Sequence, residues 1–170
     1  LDGTKRKQLR RFFFREIFPV LTPLAFDKSH PFPFISNLAL NLAIILKRPG
    51  SQEELFARIK IPNTLFPRLI ELPADPDGKD ISGRQEFIFL EDLIADNLDL
   101  LFPGMEIVAA YPFRVTRDAD IEIEEDEADD LLSAVEQSIS KRWIGTPVRI
   151  EIDNNMIPAI VDMMGAKLAK

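Results

Sequence analysis

Two features of the sequence carry side chains that could act on phosphate, and the first is a lone histidine. His30 is the only histidine among the 170 residues, and it opens the stretch HPFPFISN. A histidine can act as a base, carry a phosphoryl group or bind a ligand, but it can also pack a loop that prolines hold in place. A serine nucleophile would have to be Ser29, which is adjacent to His30 in the sequence. Adjacent residues seldom place a nucleophile and its base within hydrogen-bond reach of each other. We therefore predict a structural role for His30, with contact to phosphate or to a partner as the open alternative.

The second feature is an arginine pair in the stretch FRVTRDAD. Strand alternation places Arg114 and Thr116 on one face, with Arg117 at the turn that follows. Arginine suits phosphate because its planar fork donates two parallel hydrogen bonds. The alternative is that both arginines pair with the many carboxylates nearby, and their spacing does not decide between the two.

An acidic run, DADIEIEEDEADD, is the only candidate for a magnesium site. Hard cations prefer carboxylate oxygens, but strand alternation would put Asp120, Glu122 and Glu124 on one face without a turn to wrap an ion. We predict a solvated face and no metal. The absence of cysteine from the sequence excludes disulfides, thiolate catalysis and zinc sites of the usual kind. Neither G-x-x-x-x-G-K-[ST] nor G-x-G-x-x-G occurs, so the sequence contains no recognisable nucleotide cradle.

Composition narrows the class of protein. The formal charge of −7 argues against general nucleic-acid binding, which needs a positive surface. No run reaches the roughly 18 apolar residues of a membrane span. The sequence starts at Leu1 without a signal peptide, so we expect a fragment of a longer protein.

Periodicity predicts the elements that must position these side chains. A basic helix is expected from an N-cap at Thr4 to the residue before Pro19, so that residues 1–18 form an entry helix before a proline-rich connection. Its cations are Lys5, Arg6, Lys7, Arg10, Arg11 and Arg15. They are typical of a solvated face, although an anionic ligand or an acidic partner remains open.

The rest of the chain mixes strands and helices. Strands are predicted at 38–46, 56–61, 68–72, 86–90, 107–117, 120–123 and 147–152, and helices at 91–101, 128–142 and 157–168. For the apolar run at 38–46, periodicity alone leaves a short helix open as the alternative. Because there is no steady βαβ rhythm, we predict the α+β class with a mixed, mostly antiparallel sheet and packed helices in a single domain.

Several long stretches carry a family resemblance. They are REIFPVLTPLAFDKSHPFPFISNLALNLAIIL, FARIKIPNTLFPRLIELP, FIFLEDLIADNLDLLFPGMEI, YPFRVTRDADIEIEEDEADDLL and PVRIEI, followed by NMIPAIV. In this order and spacing they resemble the head, or middle, domain of bacterial polyphosphate kinase, and the resemblance covers nearly all of residues 1–170.

The resemblance implies a non-catalytic domain of a phosphotransferase that moves the terminal phosphate of ATP onto a growing polyphosphate chain. In that family the phosphorylated histidine, the magnesium-binding arginines and most ATP contacts belong to C-terminal domains, and a helical domain precedes the head domain. His30 matches the HPFPF pattern of the head domain, so it is expected to be structural or to line a channel. No catalytic residue and no cofactor are expected in the fragment, whereas the parent enzyme would use ATP and Mg²⁺.

The resemblance also implies partners. The head domain is expected to contact the missing N- and C-terminal domains, a second copy of the chain, and inorganic polyphosphate along a tunnel wall. We predict that Arg114 and Arg117 contact polyphosphate, with the basic helix as a second candidate. A cytoplasmic location is expected, with the parent open to membrane association. The alternative is a free-standing protein-interaction module without enzymatic activity.

Overall fold

A computed structural model describes residues 3–26, 32–72, 85–118 and 145–168. The chain divides into two compact units. The first comprises Leu1–Pro33 and Asn41–Pro112, and the second comprises Phe34–Leu40 and Phe113–Lys170. This division into compact units does not decide how many domains the chain forms. The single domain expected from the sequence therefore stays a prediction.

The N-terminal helix of the first unit changes its winding along its length. Helix α1 spans Gly3–Phe12, a π-helical turn follows over Phe13–Ile17, and a 3₁₀ turn spans Phe18–Val20. Thr4 lies inside the first turn of α1 and is not its N-cap, because the helix already begins at Gly3. Of the apolar residues at helical spacing in this segment, Leu9, Phe13 and Ile17 are buried and Phe12 is partly buried.

The main sheet has five strands in the order β1-β3-β2-β6-β7. The strands are β1 (Leu24–Phe26), β2 (Leu40–Lys47), β3 (Glu54–Lys60), β6 (Glu106–Arg117) and β7 (Pro147–Ile152). In the first unit β3 pairs antiparallel with both β1 and β2. Leu42–Leu46 is buried without interruption, as expected of a strand covered on both faces. Strand β1 was not predicted, because Pro19 and Pro23 suggested an irregular connection.

A small hairpin and two short helices complete the described part of the first unit. Strands β4 (Leu69–Glu71) and β5 (Phe87–Phe89) pair antiparallel, and helices α2 (Leu90–Ala95) and α3 (Leu98–Leu101) follow. The prediction of one helix over 91–101 is wrong. In a continuous helix the backbone N–H of Asn97 would donate to the carbonyl of Leu93. Here the side-chain amide of Asn97 donates to that carbonyl in its place. That N–H bonds Ile94 instead, and the helix breaks.

The second unit contains the end of β6, strand β7 and helix α4 (Pro158–Leu168). Phe113–Arg117 of β6 pairs antiparallel with β7, and α4 buries Ile160 and Met164. The strands predicted at 107–117 and 147–152 and the closing helix are confirmed. The predicted strand at 120–123 and helix at 128–142 lie outside the described residues. Helices with a mostly antiparallel sheet confirm the α+β class.

Candidate anion-binding site

Four side chains share one face of the β6–β7 pair. The register sets Arg114 opposite Glu151 and Thr116 opposite Arg149. Directly opposed residues of an antiparallel pair point to the same side, and so do residues two apart on one strand. The expectation that Arg114 and Thr116 share a face is therefore confirmed. We call the set Arg114, Thr116, Arg149 and Glu151 the arginine face.

The arginine face holds two cations and one carboxylate. Arg114 donates from Nε to Oε2 of Glu151 at 2.5 Å, and Nη2 of Arg149 lies 3.1 Å from Oε1. The hydrogen bond from Arg114 lowers the pKa of Glu151, and the charge of Arg149 lowers it further. The same hydrogen bond raises the pKa of Arg114. Because the arginine side chains are 45% and 65% exposed, the face carries one net positive charge within reach of a ligand.

Arg117 has a different environment. The register shifts between Thr116 and Arg117, so Arg117 leaves the strand alternation at the end of β6. Its Nε donates to the carbonyl of Ile35 at 2.8 Å, and Nη1 donates to the carbonyl of Gly145 at 2.7 Å. Its guanidinium lies 4.5 Å from the ring centroid of Phe34. Partial burial lowers the pKa of Arg117. Nη2 makes no hydrogen bond within the described ranges and stays available to a ligand.

The segment after the predicted loop histidine is fixed to the end of β6. Asn37 accepts the backbone N–H of Arg117 through Oδ1 at 2.8 Å, and Leu38 donates its N–H to the Val115 carbonyl at 2.8 Å. Leu38 has a φ of 57°, which turns the chain into β2. His30 itself lies outside the described residues, so its structural or channel-lining role stays a prediction.

Gly145 permits the backbone approach on which this arrangement depends. A Cβ at this position would stand 1.8 Å from the carbonyl oxygen of Asp118. The two segments also share a hydrogen bond from the Asp118 N–H to the Thr146 carbonyl, 2.8 Å long. Only glycine lets the chain pass here and present its carbonyl to Arg117.

Sequence reasoning missed Arg149, Asn37 and Gly145 as members of the site. Alternation in the strand PVRIEI does put Arg149 and Glu151 on one face, so that signal was available. The parts played by Asn37 and Gly145 had no local signal. Asn37 accepts from the backbone N–H of Arg117 and the Gly145 carbonyl accepts from the Arg117 guanidinium, so each contact joins segments that lie far apart along the chain.

The basic helix α1 has carboxylate partners within the first unit. Lys5 pairs with Glu86, Arg6 with Asp96 and Arg10 with Asp99. The Arg10 contact is bidentate, at 2.9 and 2.5 Å, and Nη1 also reaches Oδ1 of Asn97 at 3.2 Å. The hydrogen bond to Arg10 lowers the pKa of Asp99. Half of the cations predicted on this helix therefore form ion pairs with carboxylates between Glu86 and Asp99.

The described residues contain no group of three or more metal-ligating side chains. The acidic residues Asp120, Glu122 and Glu124 lie outside them, so the prediction that they hold no metal is untested. Among the helices that the structure describes, none is long and apolar enough to cross a bilayer.

The fold and the arginine face together define an α+β domain with exposed cationic side chains at the end of its sheet. Residues 4–169 match the family model described as the polyphosphate kinase middle domain. The chain therefore belongs to the polyphosphate kinase middle domain family, as the sequence resemblance implied.

Individual relatives agree with this assignment. The chain is 54% identical over 155 residues to a protein named polyphosphate kinase from Aphanizomenon baltica, covering 89% of this chain and 40% of that protein. A polyphosphate kinase from Prochlorococcus marinus is 47% identical over 165 residues, with 96% and 23% covered. The crystal structure of polyphosphate kinase from Porphyromonas gingivalis superposes with a TM-score of 0.73 at 28% identity, covering 98% of this chain and 22% of that one. The chain thus spans between about a fifth and two fifths of these relatives.

Proposed function

We propose that this chain is the middle domain of a polyphosphate kinase, which transfers the terminal phosphate of ATP to a growing polyphosphate chain. The observation that carries the proposal is the family match over residues 4–169. In this proposal the domain is non-catalytic, and ATP and Mg²⁺ are used by other domains of the parent enzyme. The parent is cytoplasmic.

The domain's part in the reaction is to guide polyphosphate along a tunnel wall. Arg114 and Arg117 are the predicted contacts, and the arginine face adds Arg149 as a third. The arginine face carries one net positive charge, and Arg117 keeps a free Nη2 donor among the described contacts. Each phosphate unit of the substrate is anionic, so fixed cations of this kind would hold it without bonding to it covalently.

The same face permits a test with two variants of opposite sign. In the full-length enzyme, Arg114→Gln removes one cation, and we expect the yield of long chains to fall about two- to five-fold. Glu151→Gln removes the competing carboxylate and should increase binding of polyphosphate at low salt. The measurement is chain length and yield by gel electrophoresis, together with binding at two salt concentrations.

Arg48→Gln provides the matched control, because Arg48 is an exposed arginine in the first unit and its side chain has no hydrogen bond or ion pair among the described residues. It should leave chain extension unchanged. If Arg114→Gln and Glu151→Gln also leave both chain extension and binding unchanged, the arginine face is not part of the tunnel wall.

The proposal includes contact with the other domains and with a second copy of the chain. The β4–β5 hairpin presents Leu69, Phe87 and Phe89 with exposed fractions of 50%, 50% and 44%. Leu69 and Phe89 are directly paired across the strands. An apolar face of this kind is typical of a contact surface. Sedimentation of the full-length enzyme measures whether it is an oligomer.

A further inference from the structure

The first unit contains a buried arginine whose charge no described carboxylate neutralises. Arg58 lies at the centre of β3, between Leu24 of β1 and Ala43 of β2. It is only 6% exposed. Its Nε donates to Oδ1 of Asn41 at 2.8 Å, and this neutral amide is the only hydrogen-bond partner of its side chain among the described residues.

This environment is costly for a guanidinium. Arginine stays protonated in proteins, and a buried charge is normally compensated by an opposite charge with hydrogen bonds to its remaining donors. Desolvation lowers the pKa of Arg58, and no charge partner acts in the opposite direction. By contrast, Arg68 in the same unit has the carboxylate of Glu91 at 2.5 Å. Arg58 therefore has the fork geometry that suits an oxyanion, and no carboxylate in the part of the chain that the structure describes compensates its charge.

The strand register supplies a second cation on the same face. Lys60 follows Arg58 by two residues on β3, so both point to one side of the sheet, about 7 Å apart along the strand. Asn41 lies directly opposite Lys60. Lys60 is exposed, and its side chain has no hydrogen bond or ion pair within the described part of the chain.

The other side of Arg58 is apolar. Phe56 precedes it by two residues on the same face, and its ring contacts Phe26 and Phe32 at centroid distances of 6.4 and 5.6 Å. These rings add apolar surface to the face that carries Arg58, and a charge beside apolar surface attracts an anion more strongly than a charge in water does. The face thus runs from an aromatic cluster through a buried arginine to an exposed lysine.

We propose that Arg58, Lys60 and Asn41 form a binding site for a phosphate-class oxyanion on this face of the β2–β3 pair. The Arg58 fork holds the oxyanion, Asn41 orients the fork through Nε, and Lys60 adds charge at the solvent side. The ligand is either free phosphate or one unit of a polyphosphate chain. Only the choice of phosphate over other oxyanions rests on the proposed function.

The test is calorimetric titration of the protein with orthophosphate and, separately, with long-chain polyphosphate. We expect Arg58→Gln to weaken orthophosphate binding about ten-fold or more, because it removes a charge-assisted fork. Lys60→Gln should weaken it about two- to five-fold. Arg48→Gln removes the same charge as Arg58→Gln from an exposed position and should leave the affinity unchanged.

The two ligands separate the two sources. Equal dependence on Arg58 for both would assign the site to polyphosphate, and dependence for orthophosphate alone would assign it to free phosphate. The titration does not involve the arginine face. If Arg114→Gln left chain extension unchanged, the proposed site at Arg58 would therefore still stand. Orthophosphate binding that is equally strong in Arg58→Gln would overturn the proposal.

A stability measurement covers the possibility that Arg58→Gln does not fold. Orthophosphate should raise the unfolding temperature of the unsubstituted protein, because a ligand that binds only the folded state stabilises it. Lys60→Gln, at an exposed position, should show a smaller rise at the same concentration, and Arg48→Gln should match the unsubstituted protein. No rise in the unsubstituted protein, or equal rises in all three proteins, would contradict a phosphate site here.

Discussion

Helix α1 and the end of the β6–β7 pair both concentrate positive charge, but their charges are compensated in different ways. On α1, Lys5, Arg6 and Arg10 each pair with a separate carboxylate. On the arginine face, Arg114 and Arg149 share the single carboxylate of Glu151. Each of these three cations on α1 therefore has a carboxylate of its own, whereas the two arginines of the arginine face share one carboxylate and keep a net positive charge.

Arg117 adds a third way of holding a cation. It uses main-chain carbonyls and the ring of Phe34 as its partners, so its charge is hydrogen-bonded while no carboxylate among the described residues neutralises it. A count of basic residues along the sequence ranks α1 as the most positive segment. The partners of each residue, and not the count, decide where an anion would meet uncompensated charge.

The largest loss of stability should come from removing the side chain of Arg117, which donates to two main-chain carbonyls. Arg117→Ala deletes two hydrogen bonds to carbonyls and the contact with Phe34, and it should lower the free energy of unfolding by about 2–4 kcal/mol. Chemical denaturation measures the loss. Arg114→Ala is the matched control and should cost much less, because its ion pair is exposed to water. Equal losses in the two variants would show that Arg117 is held no more firmly than a surface arginine.

A backbone substitution tests the same environment without changing charge. Gly145→Ala forces its Cβ against the Asp118 carbonyl, and we expect the free energy of unfolding to fall by about 1–3 kcal/mol. A Cβ added at Gly165 in α4 would meet nothing within 4 Å, so Gly165→Ala should stabilise the helix by about 0.5–1 kcal/mol. Thermal unfolding compares the two. Changes of the same sign would mean that the close approach at Gly145 is absent in solution.

The smallest effect should come from breaking one of the exposed ion pairs of helix α1. Arg10→Gln breaks an exposed bidentate pair and should cost less than about 1 kcal/mol at neutral pH and low salt. The lowered pKa of Asp99 means that the pair stabilises the fold above the unfolded-state pKa of about 3.9, and that this contribution is lost as pH falls through the lower folded-state value. The difference between Arg10→Gln and the unsubstituted protein should therefore shrink on acidification and in high salt.

Lys7→Gln is the control for this experiment, since Lys7 is exposed on the same helix and its side chain has no hydrogen bond or ion pair among the described residues. It should change stability little at any pH. A cost of Arg10→Gln that is independent of both pH and salt would indicate lost packing instead of a lost ion pair.

Much of the fold followed from local patterns. Strand β7 and helices α1 and α4 were predicted from local patterns, because period 2 and period 3.6 show directly in the order of residues. The continuous apolar run of β2 left a strand and a short helix both open by periodicity, and the structure shows the strand. The break between α2 and α3 was not predictable in this way. Leu93, Ile94 and Leu98 keep helical spacing across it, and the interruption depends on one hydrogen bond from the Asn97 side chain.

The candidate site likewise has features that the sequence determined and features that only the tertiary structure determined. Residue types and strand alternation alone determined that Arg114 and Thr116 lie together, and long motifs determined the family. Only the tertiary structure decided that Arg114 shares its carboxylate with Arg149, that Arg117 is held by the carbonyls of Ile35 and Gly145, and that Arg58 has no described carboxylate. The physical reason is that a charge is compensated by whatever lies a few ångströms away. Those neighbours come from segments many residues distant, which the order of residues does not reveal.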